Sequence, residues 1–419
     1  MSNNPLINLM KHSKSRIDLA DDNHQESLYL LTNALLKIPD LPPDELYQMA
    51  HNKETPLEFK IAVKLYESKK FLRENKQPVK AGILFAMWGE QNRLLPKTKN
   101  NPNGEDSLRV KLEQLDWAMR DATIEWTLYV VDDGCPHGSG RIASQIAASS
   151  PMGKHVKVLH LTEELPQKHG PLAGLKSAED SYKGGAIILG ALEAIKDGMD
   201  VVITTDSDNS VHLGQVGLLL KKFCCNRTRA VFGDRKDPDA VLVKEEGRWG
   251  VGIKLLRHIQ RMIGYSIFSQ GIYDTQAAFK LFQCDFLDKI IQHPAVYDFS
   301  YDTDWIAATI ALKEPFERMP FAFIDSFAES ASITQGPMTT WEFLLKGLVK
   351  QVRKHQLPHN TAMAQILDEE IQSSKDLDLL IHRLPPELEN ISDSELGNPK
   401  IMTPEQVRTW IQTSKAHAK

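Results

Sequence analysis

The sequence predicts an α/β protein, a mostly parallel central sheet flanked by helices over residues 79–335, with a helical N-terminal extension (1–78) and a helical C-terminal region (336–419). Three observations lead there. Short unbroken apolar runs such as Val201 to Ile203, the kind a strand covered on both faces needs, alternate with segments whose apolar residues recur at helical spacing. Each run ends in a polar or glycine-containing loop, and such alternation builds right-handed βαβ units whose functional loops line one edge. Outside residues 79–335 the runs give way to helical spacing punctuated by proline.

In the extension, Leu28, Leu31 and Leu35 mark one helix and Phe59, Ala62 and Tyr66 another, with Pro39, Pro42 and Pro43 between them. These helices carry no recognisable chemistry and are expected to pack on the main domain or on a second copy of the chain. The first strand is Ala81 to Met87, followed by the polar loop Trp88 to Arg93. Leu108, Leu112 and Leu115 mark a helix; Trp126 to Val131 is the second strand, and it ends in the loop Asp132 to Gly140. Val156 to Leu161 is a short third strand. A helix opened by Gly184 and Gly185 then leads through a turn at Asp197 and Gly198 to a fourth strand, Asp200 to Thr205. That strand delivers Asp206 and Asp208 to its carboxyl end. After residue 335, Trp341, Leu344, Leu345 and Leu348 begin the C-terminal helices, and Thr403 to Gln406 reads as a late helix start.

A chain of 419 residues with 42% hydrophobic and 25% charged residues can bury a sizeable core. Its net charge of −5 gives no general attraction to nucleic acid or to an anionic membrane, so phosphate recognition must be local. Cys135, Cys224, Cys225 and Cys284 have neither zinc nor disulfide-framework spacing, which predicts free thiols in a reducing compartment. There is no apolar run of about 18 residues and no signal-like start, so a soluble cytoplasmic protein is expected.

Two loops carry the chemistry. Two carboxylates one residue apart, just past a buried strand, suit a hard divalent cation held against a diphosphate. Asp, Asn and Ser are also ordinary in polar turns and helix caps, so the pattern at Asp206 to Ser210 admits both readings. The Asp132 to Gly140 loop has two acids to accept hydrogen bonds from a base or ribose, and glycines that let backbone amides approach a ligand. Its plainer reading is a strand-to-helix turn with Ser139 as N-cap. His137 is assigned no role.

These stretches resemble the family 2 glycosyltransferases. Phe85-Ala-Met-Trp-Gly-Glu-Gln-Asn-Arg-Leu94 resembles their "PAYNEExRL", Tyr129-Val-Val-Asp-Asp-Gly-Cys135 their "VVDDGS", and Lys183-Gly-Gly-Ala-Ile-Ile-Leu-Gly-Ala-Leu192 their "KGGALRAGL". Val202 to Asp208 stands where the family has "DADL" or "DSD", and Ala230 to Arg235 resembles its "vxGSR" strand. Tyr273-Asp-Thr-Gln-Ala-Ala-Phe-Lys-Leu-Phe282 is similar to the "DTQCGFKLF" of the polyprenyl-phosphate glucosyl- and mannosyltransferase branch, and Phe299 to Asp304 sits at its "FDVE" segment. The resemblance implies a GT-A type nucleotide-diphospho-sugar transferase fold and a Mg²⁺- or Mn²⁺-dependent hexosyltransferase. Its donor is a UDP- or GDP-linked sugar, its acceptor a small molecule, glycan or lipid phosphate, and nucleic acid plays no part.

Carried over residue by residue, the resemblance places Asp206 and Asp208 at the metal, and Glu90, Asp132, Asp133, Lys183, Asp206 and Arg235 at the substrate. Inversion at a hydroxyl acceptor needs a base, for which Asp274 and Asp304, with Asp302 beside them, are the candidates; a phosphate acceptor needs none. The sequence departs from the pattern at Met87-Trp-Gly89, Cys135 and Ala277-Ala278, and it lacks the C-terminal membrane hairpin. Work at a membrane surface stays open to a soluble enzyme. Glu245 to Gly252 reads as a lid or a surface turn, and Arg257 with Arg261 as an anion site or a solvated face. Two rival functions are a sugar-nucleotide pyrophosphorylase, from Gly89 to Thr98 against "GxGTRLxPxT", and a non-catalytic GT-A nucleotide-binding module.

Overall fold

The computed structural model describes residues 5–244, 250–325 and 336–417. Helices α1 (Pro5–Lys11), α2 (Asp22–Leu36), α3 (Pro43–His51) and α4 (Leu57–Glu74) precede the first strand. The alternating region follows as β1 (Val79–Met87), α5 (Ser107–Met119), β2 (Ile124–Asp132), α6 (Ser139–Ser149), β3 (Val156–His160), α7 (Leu161–Glu164), α8 (Gly184–Lys196) and β4 (Val201–Thr204). Then come α9 (Val216–Asn226), β5 (Ala230–Asp234), β6 (Val241–Val243), α10 (Ile253–Ile263), α11 (Tyr265–Phe268), β7 (Lys280–Gln283), α12 (Cys284–Ile291), α13 (Tyr301–Ala311), β8 (Phe316–Pro320) and β9 (Ala322–Ile324). Helices α14 (Pro337–Lys354), α15 (Thr361–Glu370), α16 (Ser374–Asp378) and α17 (Pro404–His417) complete the chain.

Seven strands form one sheet in the order β3-β2-β1-β4-β7-β5-β8, and β6 pairs with β9 in a small second sheet. All pairings in the large sheet are parallel except those of β7, which runs antiparallel to both β4 and β5. The expected mostly parallel sheet flanked by helices is present, with one reversed strand, β7, whose direction the Tyr273 to Phe282 resemblance did not give. Direction is a tertiary property, invisible to period.

Side-chain alternation explains why both faces are covered. Ile83 and Phe85 point into a core shared with α5 and α9, whereas Leu84 points into one shared with α8, α10 and α13. The second core continues without a break into Leu345, Leu348, Val349 and Val352 of α14. The N-terminal helices form a smaller core with Ala322 and Ile324 of β9. Helix α4 lies against α9 at Gly217, where a Cβ would come within 2.5 Å of the Ser68 backbone oxygen. Ser68 Oγ there accepts the Gly217 N–H at 2.9 Å.

Candidate functional site

Strand β1 sits between β2 and β4, with Met87 level with Asp132 and Leu84 level with Thr204. That register brings the loops after β1, β2 and β4 to one edge of the sheet.

In the loop after β4 the side chains alternate. Ser207, Asn209 and Ser210 are buried, whereas Asp206 and Asp208 remain half-exposed. Asp206 Oδ1 is paired with the Lys183 ammonium. Burial would raise the Asp206 proton affinity, but Lys183, helped by Arg235 and Lys111, outweighs it and holds the group below the usual carboxylate range. Asp208 Oδ1 accepts the Ser210 N–H at 3.0 Å, so the polar-turn reading is met by one oxygen of a carboxylate that still reaches solvent.

This loop is held from behind by a charged chain that the sequence did not reveal. Asn209 donates its N–H to Glu105 Oε2 and its side-chain amide to the Glu105 carbonyl, both at 2.9 Å. Glu105 Oε1 accepts from Arg93 Nε at 2.9 Å, and Arg93 Nη1 donates to Glu90 Oε2 at 2.7 Å. Fully buried Lys111 donates to the Asp208 carbonyl. Glu90, expected to touch substrate, is therefore a buttress: it is 7% exposed and bound to Arg93. No motif announces Glu105 or Lys111, because only folding brings them beneath the loop. The same chain fills the turn after β1 with buried side chains, unlike the glycine-lined wrap that the pyrophosphorylase reading needs.

The loop after β2 is built differently. Asp132 Oδ1 accepts the Cys135 N–H and Oδ2 the Gly140 N–H, each at 2.7 Å. Gly140 is required by this fit, since a Cβ there would lie 2.3 Å from Asp132 Oδ2. Asp132 thus shapes the loop with both oxygens. Ser139 is the first residue of α6, not its cap; Gly138, at φ +79°, precedes it, and the Ser139 hydroxyl accepts the Glu90 N–H at 3.0 Å. Asp133 has a different balance. Its Oδ2 accepts the Lys183 N–H at 2.7 Å, while Oδ1 is buried without a hydrogen-bond partner. Burial pushes this carboxyl up to about 7.

Lys183 therefore touches both acid loops, through its amide at Asp133 and its ammonium at Asp206. A single residue spans the distance between them.

The candidate bases have other partners. Asp274 is bidentate to Arg235, at 2.8 Å from Nε and 2.7 Å from Nη2, and also accepts the Arg235 N–H at 2.9 Å. Burial opposes its ionisation, but the guanidinium prevails and lowers it to about 2. A carboxylate held that low takes up a proton poorly at neutral pH. Asp304 is 2% exposed and bonded to His355 Nε2 at 2.7 Å and the Ala295 N–H at 2.8 Å, tying α13 to α14 instead of facing a cleft. Asp302 pairs with buried Lys280 at 2.9 Å. Arg257 and Arg261 both reach Asp393, an exposed acid of the chain itself, which occupies Arg261 where an anion site was expected. Of the expected lid, 245–249 lie outside the described residues.

Among the described residues no group of three or more His, Cys, Asp or Glu is disposed to hold a metal ion. Asp206 and Asp208 form a two-carboxylate donor set, which fits Mg²⁺ or Mn²⁺ bound with water and substrate phosphate oxygens and does not fit an all-protein cage.

No protein-family profile matches the chain. Over 209 residues it is 26% identical to an undecaprenyl-phosphate mannosyltransferase of Micrococcus luteus, a match covering 49% of this chain and 75% of that protein. Among solved structures it is similar to mannosyl-3-phosphoglycerate synthase of Rubrobacter xylanophilus, at 13% identity and a TM-score of 0.45, covering 69% of this chain and 78% of the other. It is also similar to Mycobacterium tuberculosis glucosyl-3-phosphoglycerate synthase in complex with Mn²⁺, UDP-glucose and phosphoglyceric acid, at 13% identity, a TM-score of 0.45, and 70% and 84% coverage.

Proposed function

We propose that this protein is a GT-A type glycosyltransferase, which moves a hexose from a nucleotide-diphosphate donor in a reaction dependent on Mg²⁺ or Mn²⁺. The observation that carries the reading is the bridge at Lys183: the nucleotide-type loop and the metal-type loop lie close enough for one lysine to touch both. A nucleotide sugar spanning the same gap would meet Asp133 at its base or ribose end and the Asp206 to Ser210 loop at its diphosphate. The sequence relative, a transferase by name, supports the same chemistry.

At the nucleotide end Asp133, with a proton affinity near neutrality, would serve a ribose hydroxyl or a base edge as acceptor or donor. Asp206 and Asp208 would hold the cation, which supplies charge neutralisation for the departing nucleoside diphosphate. Lys183 and Arg235 add positive charge beside it, since both lie near enough to Asp206 to shift its ionisation. Asp274 and Asp304 are committed to Arg235 and His355, and this favours an acceptor whose oxygen is already ionised, such as a phosphate, over a hydroxyl that needs deprotonation. Among the described residues no helix is long and apolar enough to cross a membrane. A lipid-phosphate acceptor would be met at the membrane surface.

The test is a screen of UDP-, GDP- and ADP-sugars with and without Mn²⁺, read as the shift of the unfolding midpoint, because a ligand bound by the native state raises it by mass action. A shift that needs both the cation and one nucleotide class, followed by release of that nucleoside diphosphate with acceptor, supports the reading. Binding without transfer to any phosphate or hydroxyl acceptor would leave a binding module, and release of nucleoside triphosphate with pyrophosphate would reveal a pyrophosphorylase.

A further inference from the structure

Three lysines surround the loop after β4 and its neighbour strand, and they are not equivalent. Lys111 and Lys280 are fully buried: the Lys111 ammonium donates to the Asp208 carbonyl, and that of Lys280 to the carbonyls of Thr275 and Ala277 and to buried Asp302. The Lys183 side chain is 23% exposed, and the hydrogen bond of its ammonium goes to a carboxylate, Asp206.

The backbone at Lys183 argues that the side chain matters. Its φ of +83° lies where only glycine sits without strain, and the next two residues are glycines that the surroundings demand. At Gly184, for example, a Cβ would come within 2.6 Å of the Tyr297 backbone. A glycine at 183 would relieve this strain, yet the position holds a lysine. The backbone is also pinned: Tyr182 and Gly185 both donate their N–H to the Tyr297 carbonyl, and the Lys183 N–H is held by Asp133. Only the side chain is free to redirect.

We infer that Lys183 is an exchangeable counter-ion. Its ammonium neutralises Asp206 until a divalent cation takes that carboxylate, and it then turns to the donor's anionic diphosphate. This inference rests on the proposed function and adds a consequence to it: cation and nucleotide binding are coupled through one side chain. Without nucleotide the displaced ammonium gives up Asp206 with no phosphate to replace it, so the cation binds weakly; with nucleotide it gains one, and both bind better.

The test measures Mn²⁺ binding from the electron paramagnetic resonance signal of the free ion, with no acceptor and no turnover, in the presence and absence of UDP or GDP. Wild type is expected to bind Mn²⁺ weakly alone and at least about tenfold more tightly with one of the two nucleotides. Lys183→Gln, and Lys183→Gly as a variant relieved of backbone strain, should bind Mn²⁺ alone about tenfold more tightly than wild type, because a positive charge a few ångströms from the site is gone. Both should lose most of the nucleotide-dependent gain, and Lys183→Arg should restore the wild-type pattern. Unchanged or weaker binding of Mn²⁺ alone by both neutral variants would overturn the counter-ion, while leaving the transferase reading intact if wild type still binds Mn²⁺ with nucleotide. Failure of wild type to bind Mn²⁺ with either nucleotide would overturn the reading beneath it.

Discussion

The loops after β2 and β4 each offer a pair of aspartates at the carboxyl edge of the same sheet, yet they use them in opposite ways. After β2, Asp132 gives both oxygens to backbone N–H groups, and Asp133 is 5% exposed with one oxygen unpaired. After β4, both acids stay open to solvent, and the loop is shaped by Glu105, Arg93 and Lys111 from behind. One loop is a rigid cradle made with carboxylates, and the other is a charged surface made to receive a cation. What distinguishes them is where the supporting hydrogen bonds come from, since residue type and strand position are shared.

The contrast breaks most severely at Asp208. Asp208→Ala removes a carboxylate whose hydrogen bond goes to the Ser210 N–H of its own loop, so the fold should persist while transfer falls by about a thousandfold, the several kcal/mol a catalytic cation is worth. Initial rates with and without Mn²⁺ check it, and a mutant that keeps its metal dependence would erase the distinction between the loops.

A second effect is set by the burial of Asp133. Its folded-state value near 7 exceeds that of an unfolded chain, about 3.9, so between roughly pH 4 and 7 the native state binds more protons and stability falls as pH rises. Asp133→Asn removes that term. Its stability relative to wild type should therefore grow as pH is raised through this window and level off above it, as read from denaturant midpoints. A constant difference would mean that Asp133 is not held protonated by its burial.

Asp132→Ala sharpens the cradle side of the comparison. It leaves the Cys135 and Gly140 N–H groups without their acceptor and should cost about 2 kcal/mol of stability, while the Mn²⁺ affinity of the other loop changes less than about twofold. Guanidinium unfolding and Mn²⁺ titration together test both halves. The smallest effect is expected at Glu90→Gln, which keeps an acceptor for Arg93: about 1 kcal/mol of stability and no change in nucleotide affinity. A large loss of affinity there would return Glu90 to the substrate.

Much of the frame was legible in the sequence because period and loop chemistry are local. The apolar runs placed β1 to β4 within a few residues, the resemblance placed β5, and the glycines at 184 and 185 marked the start of α8. The reversed direction of β7 was not legible, since an antiparallel strand buried on both faces has the same composition as a parallel one. At the site, Asp133, Asp206 and Asp208 were singled out by their place after strands, and Lys183 by the resemblance at the start of α8. Glu105, Lys111 and the commitments of Asp274 to Arg235 and Asp304 to His355 were not, because each joins segments far apart in the chain. Sequence names the acids at an edge; only the fold assigns their partners.

The account stands or falls on one nucleotide bridging the two loops through a cation, and the most direct measurement is a crystal structure with Mn²⁺ and the nucleotide sugar that the screen selects. The expected density has the base or ribose against Asp133, the ion on Asp206 and Asp208, and the diphosphate between them. A nucleotide bound with its phosphates away from the loop after β4, or a cation held by other residues, would contradict it.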